Sequence, residues 1–197
     1  MNRILFMDGI IKSLSKGKLL QTIFSIVLKG VAALGVILSV IGFINAFDIY
    51  KYLNFGEKVV HLIFQNLLGL GTAFIIFQIL WIRSEDIRKE EDDEYKAIPI
   101  SKYFIKGIGE ALAAASIISG VGYMFSTWLI RNFSPVSSPF YLRSLFQPDG
   151  RFLLGLYSFF SALIFAAFII FITYLLAELI IVQVEIARNT RELKGKK

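Results

Sequence analysis

Few residues in this chain have types and spacings that suit chemistry. The one histidine, His61, shares a helical face with Gln65, Gly69 and Thr72, and Asn66 lies beside it. Such a group could line a wet cavity or bind an ion. One histidine cannot build a metal site alone, and neither cysteine nor a nearby carboxylate stripe accompanies it. The plainer expectation is a polar helix face making interhelical hydrogen bonds, worth roughly 0.6–2 kcal/mol each. A second group consists of Lys29, Glu110 and Glu178, ionisable residues set in otherwise apolar stretches. A charge at that position is costly unless it is paired or can snorkel. Pairing of Lys29 with Glu110 or Glu178 would join helices at one depth, and either carboxylate could instead carry a proton in a small transporter.

Known catalytic patterns are missing. Gly69-Leu70-Gly71 and Gly107-Ile108-Gly109 follow no strand and reach no third glycine, so they make no dinucleotide fingerprint. No Gly-x-Ser-x-Gly, His-Glu-x-x-His or phosphate-loop sequence occurs. Cysteine is absent altogether, which removes disulfides, thiolate metal sites and cysteine nucleophiles. The sequence therefore offers no catalytic residue, no metal site and no cofactor, and the expected class is not an enzyme.

The elements that must position these residues are long and apolar. Hydrophobic residues make up 56% of the 197, and charged ones only 18%, against about a quarter in soluble domains. Charge is also segregated, leaving runs that water could not cover. A helix needs about 20 apolar residues to cross the hydrocarbon layer. Four stretches qualify: 29–47, 59–82, 107–130 and 152–181. All four prolines (Pro99, Pro135, Pro139, Pro148) fall between them, so each helix can satisfy its own backbone, as lipid requires. Pro99 is expected to stop a helix from the charged connection before the third span begins. The fold class is thus all-α: a polytopic membrane protein with a four-transmembrane-helix bundle. Residues 19–28 carry an amphipathic pattern. They either lie along the interface or form the first turns of a longer helix.

Orientation follows from Lys and Arg, which resist translocation. Sixteen of the 21 fall in the N-terminal segment, the 83–106 connection and the tail; five fall on the other side. Both termini are therefore expected in the cytoplasm. No cleavable signal sequence is visible, and the first span reads as a retained anchor. Net charge +6 reflects this topology, and no nucleic-acid partner is inferred from it. The connection also carries seven acids, with Arg88–Asp92 and Lys89–Asp93 at helical spacing. The outer loop 131–151 mixes Ser and Pro with aromatics; it contains a possible short helix at 139–146 and a discounted sequon at Asn132.

Two halves of the chain look alike. Ala33, Ile37, Ser39 and Gly42 match Ala113, Ile117, Ser119 and Gly122 at an offset of 80, and Glu85 and Arg88 match Glu185 and Arg188 at 100. This fits two tandem hairpins. Small residues form a seam on the first span (Gly35, Ser39, Gly42, Ala46). Another lies on the third (Ala111, Ala115, Ser119, Gly122, Ser126), with Gly109, Ala113, Ser116 and Gly120 beside it. Small residues let helix backbones approach closely in lipid, so the third span is expected at the centre.

The last helix is overlong and runs into a basic tail. There Glu185, Arg188, Arg191 and Lys194 could meet a partner or anionic lipid. The chain resembles small four-span bacterial membrane proteins, in its spans and in the closing Leu176-Ala177-Glu178 and Asn189-Thr190-Arg191. That resemblance implies a multi-pass protein of the bacterial inner membrane. The expected function is a non-enzymatic membrane subunit or scaffold, contacting the lipid bilayer and other membrane proteins or itself. The alternative is a small oligomeric channel or transporter for an ion or small solute.

Overall fold

The computed structural model describes residues 18–50, 54–89, 97–129 and 150–195. Every element among them is helical: α1 (Lys18–Tyr50), α2 (Phe55–Val60), a π-helical segment (His61–Leu67), α3 (Leu68–Lys89), α4 (Ala97–Leu129) and α5 (Arg151–Gly195). Because α2, the π segment and α3 run on without a break, the described residues hold four helices long and apolar enough to cross a membrane. Their sides carry exposed Leu, Ile, Val and Phe along most of their length, a surface that lipid can cover and water cannot.

The structure decides one alternative that the sequence left open and corrects one expectation. Residues 19–28 do not form a separate interfacial helix; they are the first turns of α1. Gln21, Ser25 and Leu28 are buried, so the polar side of that amphipathic pattern faces protein, with Ser25 hydrogen-bonded to Ser84 of α3. Pro99 does not end a helix either. It lies in the first turn of α4, where a missing N–H costs nothing because that donor would have no intrahelical acceptor. The charged pairs Arg88–Asp92 and Lys89–Asp93, the 139–146 segment and Asn132 lie wholly or partly outside the described residues.

The main contacts run α1 with α3, α3 with α4, and α4 with α5. Among the buried apolar residues, Leu28 and Ala32 of α1, Leu80 and Ile87 of α3 and Ile100 of α4 form one cluster, edged by Phe24, Tyr103 and Phe104. All belong to the Lys/Arg-rich end, called the basic end below. There Phe24 meets Phe104 edge to face at 5.9 Å between centroids. At the far end, aromatics take over: Phe64 of the π segment stacks on Phe125 (4.7 Å), Phe125 meets Trp128, and Trp128 stacks on Phe152 (5.2 Å). The Trp128 indole donates to the Phe152 carbonyl at 3.1 Å, tying α4 to the start of α5. Just before that start Gly150 has φ +94°, a conformation that favours glycine, and its carbonyl accepts the Leu154 N–H.

α4 is small on two faces and uses both. One face meets α3 and the π segment: a Cβ on Gly107 would lie 3.2 Å from Arg83 Cγ, and one on Gly122 only 2.8 Å from the Phe64 carbonyl oxygen. The other meets α5: Gly109 abuts Thr173, and a Cβ on Gly120 would lie 2.5 Å from that of Ala162. α5 answers with its own small stripe of Gly155, Ser158, Ala162, Ala166 and Ala177, all buried. Ser116, Thr127 and Ser158 turn their hydroxyls back to carbonyls four residues earlier, so these polar residues pack without leaving donors unmet.

Candidate functional site

Among the described residues the densest polar grouping sits at the basic end, where α3, α4 and α5 converge. Gly107 leaves room for the Arg83 stem. The guanidinium can therefore lie across α4 and grip Glu110 in a fork: Nε donates to Oε2 at 2.8 Å, and Nη2 to Oε1. Nη1 donates to Asp86 Oδ2 at 2.9 Å, one turn along its own helix. From α5 the Tyr174 hydroxyl donates to Glu110 Oε1 at 2.6 Å. Lys106 rests over the Tyr174 ring, 4.5 Å from its centroid. One carboxylate thus joins three helices, and both its oxygens are occupied by charged or hydroxyl donors. Paired this way, Glu110 is a fastener; taking up a proton would mean giving up the fork.

The pairing of Lys29 with Glu110 or Glu178 does not occur. Arg83 takes Glu110, because α3 and α4 pack antiparallel and bring those two to the same depth. Lys29 instead stands over the Trp81 ring at 4.2 Å, while the Trp81 indole donates to Glu85 at 3.1 Å. Glu178 is exposed on α5. Beside this group, Ser25 and Ser84 form a 2.7 Å hydroxyl pair, and Ser84 also reaches the Ser25 carbonyl at 3.1 Å. Lys102 stands over Tyr103, so three lysines at this end are set on aromatic faces.

The histidine group lies elsewhere. His61 opens the π segment and is half-buried. Asn66 donates to the His61 carbonyl at 3.4 Å, and Thr72 to that of Leu68 at 2.7 Å; the Gln65 side chain is outside the described residues. π-Helical turns inside α-helices are frequent at functional sites. One turn beyond Gly122, the α4 residue that abuts this segment, stands Ser126. It is wholly buried, and its hydroxyl has no hydrogen-bond partner among the described residues. No group of three or more His, Asp or Glu suited to a metal ion exists among the described residues.

The remaining candidates separate cleanly. Gly122 is buried, while Ala115 and Ser119 are half-buried on the same helix. Gly35 and Gly42 of α1 have no atom within 4 Å of a built Cβ, and Ser39 between them is half-buried. Glu185, Arg188 and Arg191 are exposed on the last turns of α5, and the Lys194 side chain is outside the described residues. Sequence reading missed Arg83 as the partner of Glu110 and Tyr174 as its second donor. The available signal was positional: in an antiparallel hairpin, opposite charges flanking the connection at matching depth should meet.

Comparison with family models, with curated proteins and with solved structures returned no match.

Proposed function

We propose that this chain is a non-enzymatic, multi-pass membrane subunit with both termini in the cytoplasm. Its four spans form two consecutive hairpins, and the half of α1 distant from the basic end receives a transmembrane helix of another membrane protein. The observation that carries this reading is the contrast among glycines. Gly107, Gly109, Gly120, Gly122 and Gly155 each abut a neighbour, whereas Gly35 and Gly42 face open space. Leu34, Leu38 and Ile41 around them are exposed. A helix anchored at one end and bare at the other, with a seam at i, i+4 and i+7, suits close approach by a second helix. The self-contained Arg83–Glu110–Tyr174 group supports a structural role for the ionisable residues.

The test uses the full chain, tagged and purified in mild detergent from its native membrane. A membrane protein present in stoichiometric amount with the wild type, and lost from the Gly35→Leu, Gly42→Leu double variant while that variant remains folded, supports the proposal. A chain that purifies alone from its native membrane overturns it. A small channel or transporter is the second reading, favoured by the buried Ser126 hydroxyl, one turn from Gly122 and without a hydrogen-bond partner among the described residues. Solute flux through vesicles holding only this chain, abolished by His61→Ala or Ser126→Ala, would establish it in place of the first.

A further inference from the structure

α5 is too long for any bilayer. Its 45 residues span about 67 Å at 1.5 Å per residue. A bilayer with its headgroups measures about 40–45 Å. Even at a tilt of about 40°, the top of the usual range, the helix reaches roughly 52 Å along the normal. One end must stand in water. Tyr174, with Lys106 over its ring, marks the interface at the basic end, since aromatic and basic residues gather at the headgroups. Ile186 then lies about 18 Å farther along the axis, and Leu193 about 28 Å farther.

That projecting stretch is not polar all round. Leu175, Leu179, Val182, Ile186, Asn189 and Leu193 follow one another at alternating spacings of four and three. At about 100° per residue they form one narrow stripe. It lies opposite Ala166, Thr173 and Ala177, the side of α5 turned to α4. Every residue of the stripe is exposed, Ile186 to 59% and Leu193 to 70%. Up to Leu175 lipid can cover such a face; from Val182 onward water would meet it. α5 continues as one unbroken helix, so this stretch has no bend with which to lie down on the membrane surface.

We propose that a second copy of this chain covers the stripe, the two α5 extensions pairing as a short parallel coiled coil. The spacing is the alternation of core positions in such a coil. Two copies inserted alike in one membrane present α5 in parallel, and parallel self-pairing sets each stripe residue against its own counterpart. Asn189 then meets Asn189, and an amide that both donates and accepts finds its like; an apolar partner helix would leave it unsatisfied. The flanking positions also agree. Glu178 and Glu185 would face Gln183 and Thr190 of the other copy, so no like charges oppose, while Arg188 and Arg191 fall on the outer side. This inference rests on the membrane-spanning reading of the chain and is independent of the α1 seam.

The chain has no cysteine, so single cysteines can be introduced into the full protein and oxidised with copper phenanthroline in isolated membranes. Ile186→Cys and Leu193→Cys should each give a disulfide-linked dimer, in at least five-fold greater yield than Ala187→Cys on the neighbouring face. Adding Asn189→Asp to Leu193→Cys should cut that yield at least five-fold without changing the monomer's thermal midpoint. Equal yields from all three positions, no dimer from the seam positions, or a cross-link to a protein of different mass would each overturn the proposal. The Gly35→Leu, Gly42→Leu double variant should retain the α5 cross-link. Loss of its partner with the cross-link intact would bear on α1 alone; loss of the cross-link would overturn the independence of the two surfaces.

Discussion

Gly42 and Gly122 are related by a sequence offset of 80, yet their surroundings are opposite. Gly122 lies so close to the Phe64 carbonyl that a Cβ would fall 2.8 Å from its oxygen; Gly42 has nothing within 4 Å. The same holds along their helices. α4 is embraced on two sides, by α3 and by α5, whereas α1 is buried only through Ala32 and exposed along most of its remaining length. A glycine in a membrane helix therefore carries no single meaning. In α4 it permits contact already made within the chain; in α1 it leaves a face for something outside it.

The sharpest way to break that contrast is to fill both sites. Gly122→Leu drives a side chain into a backbone carbonyl, which cannot swing aside as a side-chain end could. Overpacking of this kind costs about 1–3 kcal/mol and more where backbone must move. We expect the variant to lose most of its folded yield in detergent. Gly42→Leu should leave the thermal midpoint of the isolated chain unchanged within about 1 °C, because a surface change away from any contact is worth roughly ±0.5 kcal/mol or less. Equal losses from the two variants would end the distinction between used and unused glycines.

Next in size is the ionic fastener. Arg83→Met leaves Glu110 with Tyr174 as its remaining donor among the described residues, in a site where the carboxylate side chain is only 19% exposed. Breaking a buried pair from one side costs about 3–5 kcal/mol. Partial exposure lets water compensate, so a loss of about 2 kcal/mol is expected in detergent unfolding. The double variant Arg83→Met, Glu110→Met should recover most of it, since no charge is then stranded. A double variant as unstable as the single would mean that the pair does more than hold α3, α4 and α5 together.

Much of this architecture is legible in the sequence. The four apolar runs, the polar ends and the small faces of α4 all follow from residue type and period, because lipid makes the rules for crossing strict. What sequence could not supply was pairing. Lys29, Arg83, Glu110 and Glu178 all sit near the basic end, and composition does not say which acid takes which base. Helix rotation decides that, through contacts such as Gly107 beneath the Arg83 stem. The 19–28 stretch shows the same limit. Its amphipathic pattern is real, but a polar stripe reads alike whether it faces headgroups or the serines of a neighbouring helix.

The smallest effect concerns how α1 is held at its covered end. Ser25 and Ser84 share a hydroxyl pair at 2.7 Å between two otherwise apolar surfaces. Ser84 keeps a donor role toward the Ser25 carbonyl at 3.1 Å even without the Ser25 side chain. Ser25→Ala should therefore cost less than Ser84→Ala, which removes both links. In bilayers such interhelical bonds average about 0.6 kcal/mol and reach about 1.7 at most. A double-mutant cycle between the two serines should give a coupling within that range, with Ser84→Ala the larger single loss. If Ser25→Ala proved the larger, or the coupling vanished, the grip on α1 would have to come chiefly from Leu28, Ala32, Phe24 against Phe104 and Lys29 over Trp81. A helix gripped mainly by apolar packing could slide, and the bare half of α1 would then have no fixed face to offer.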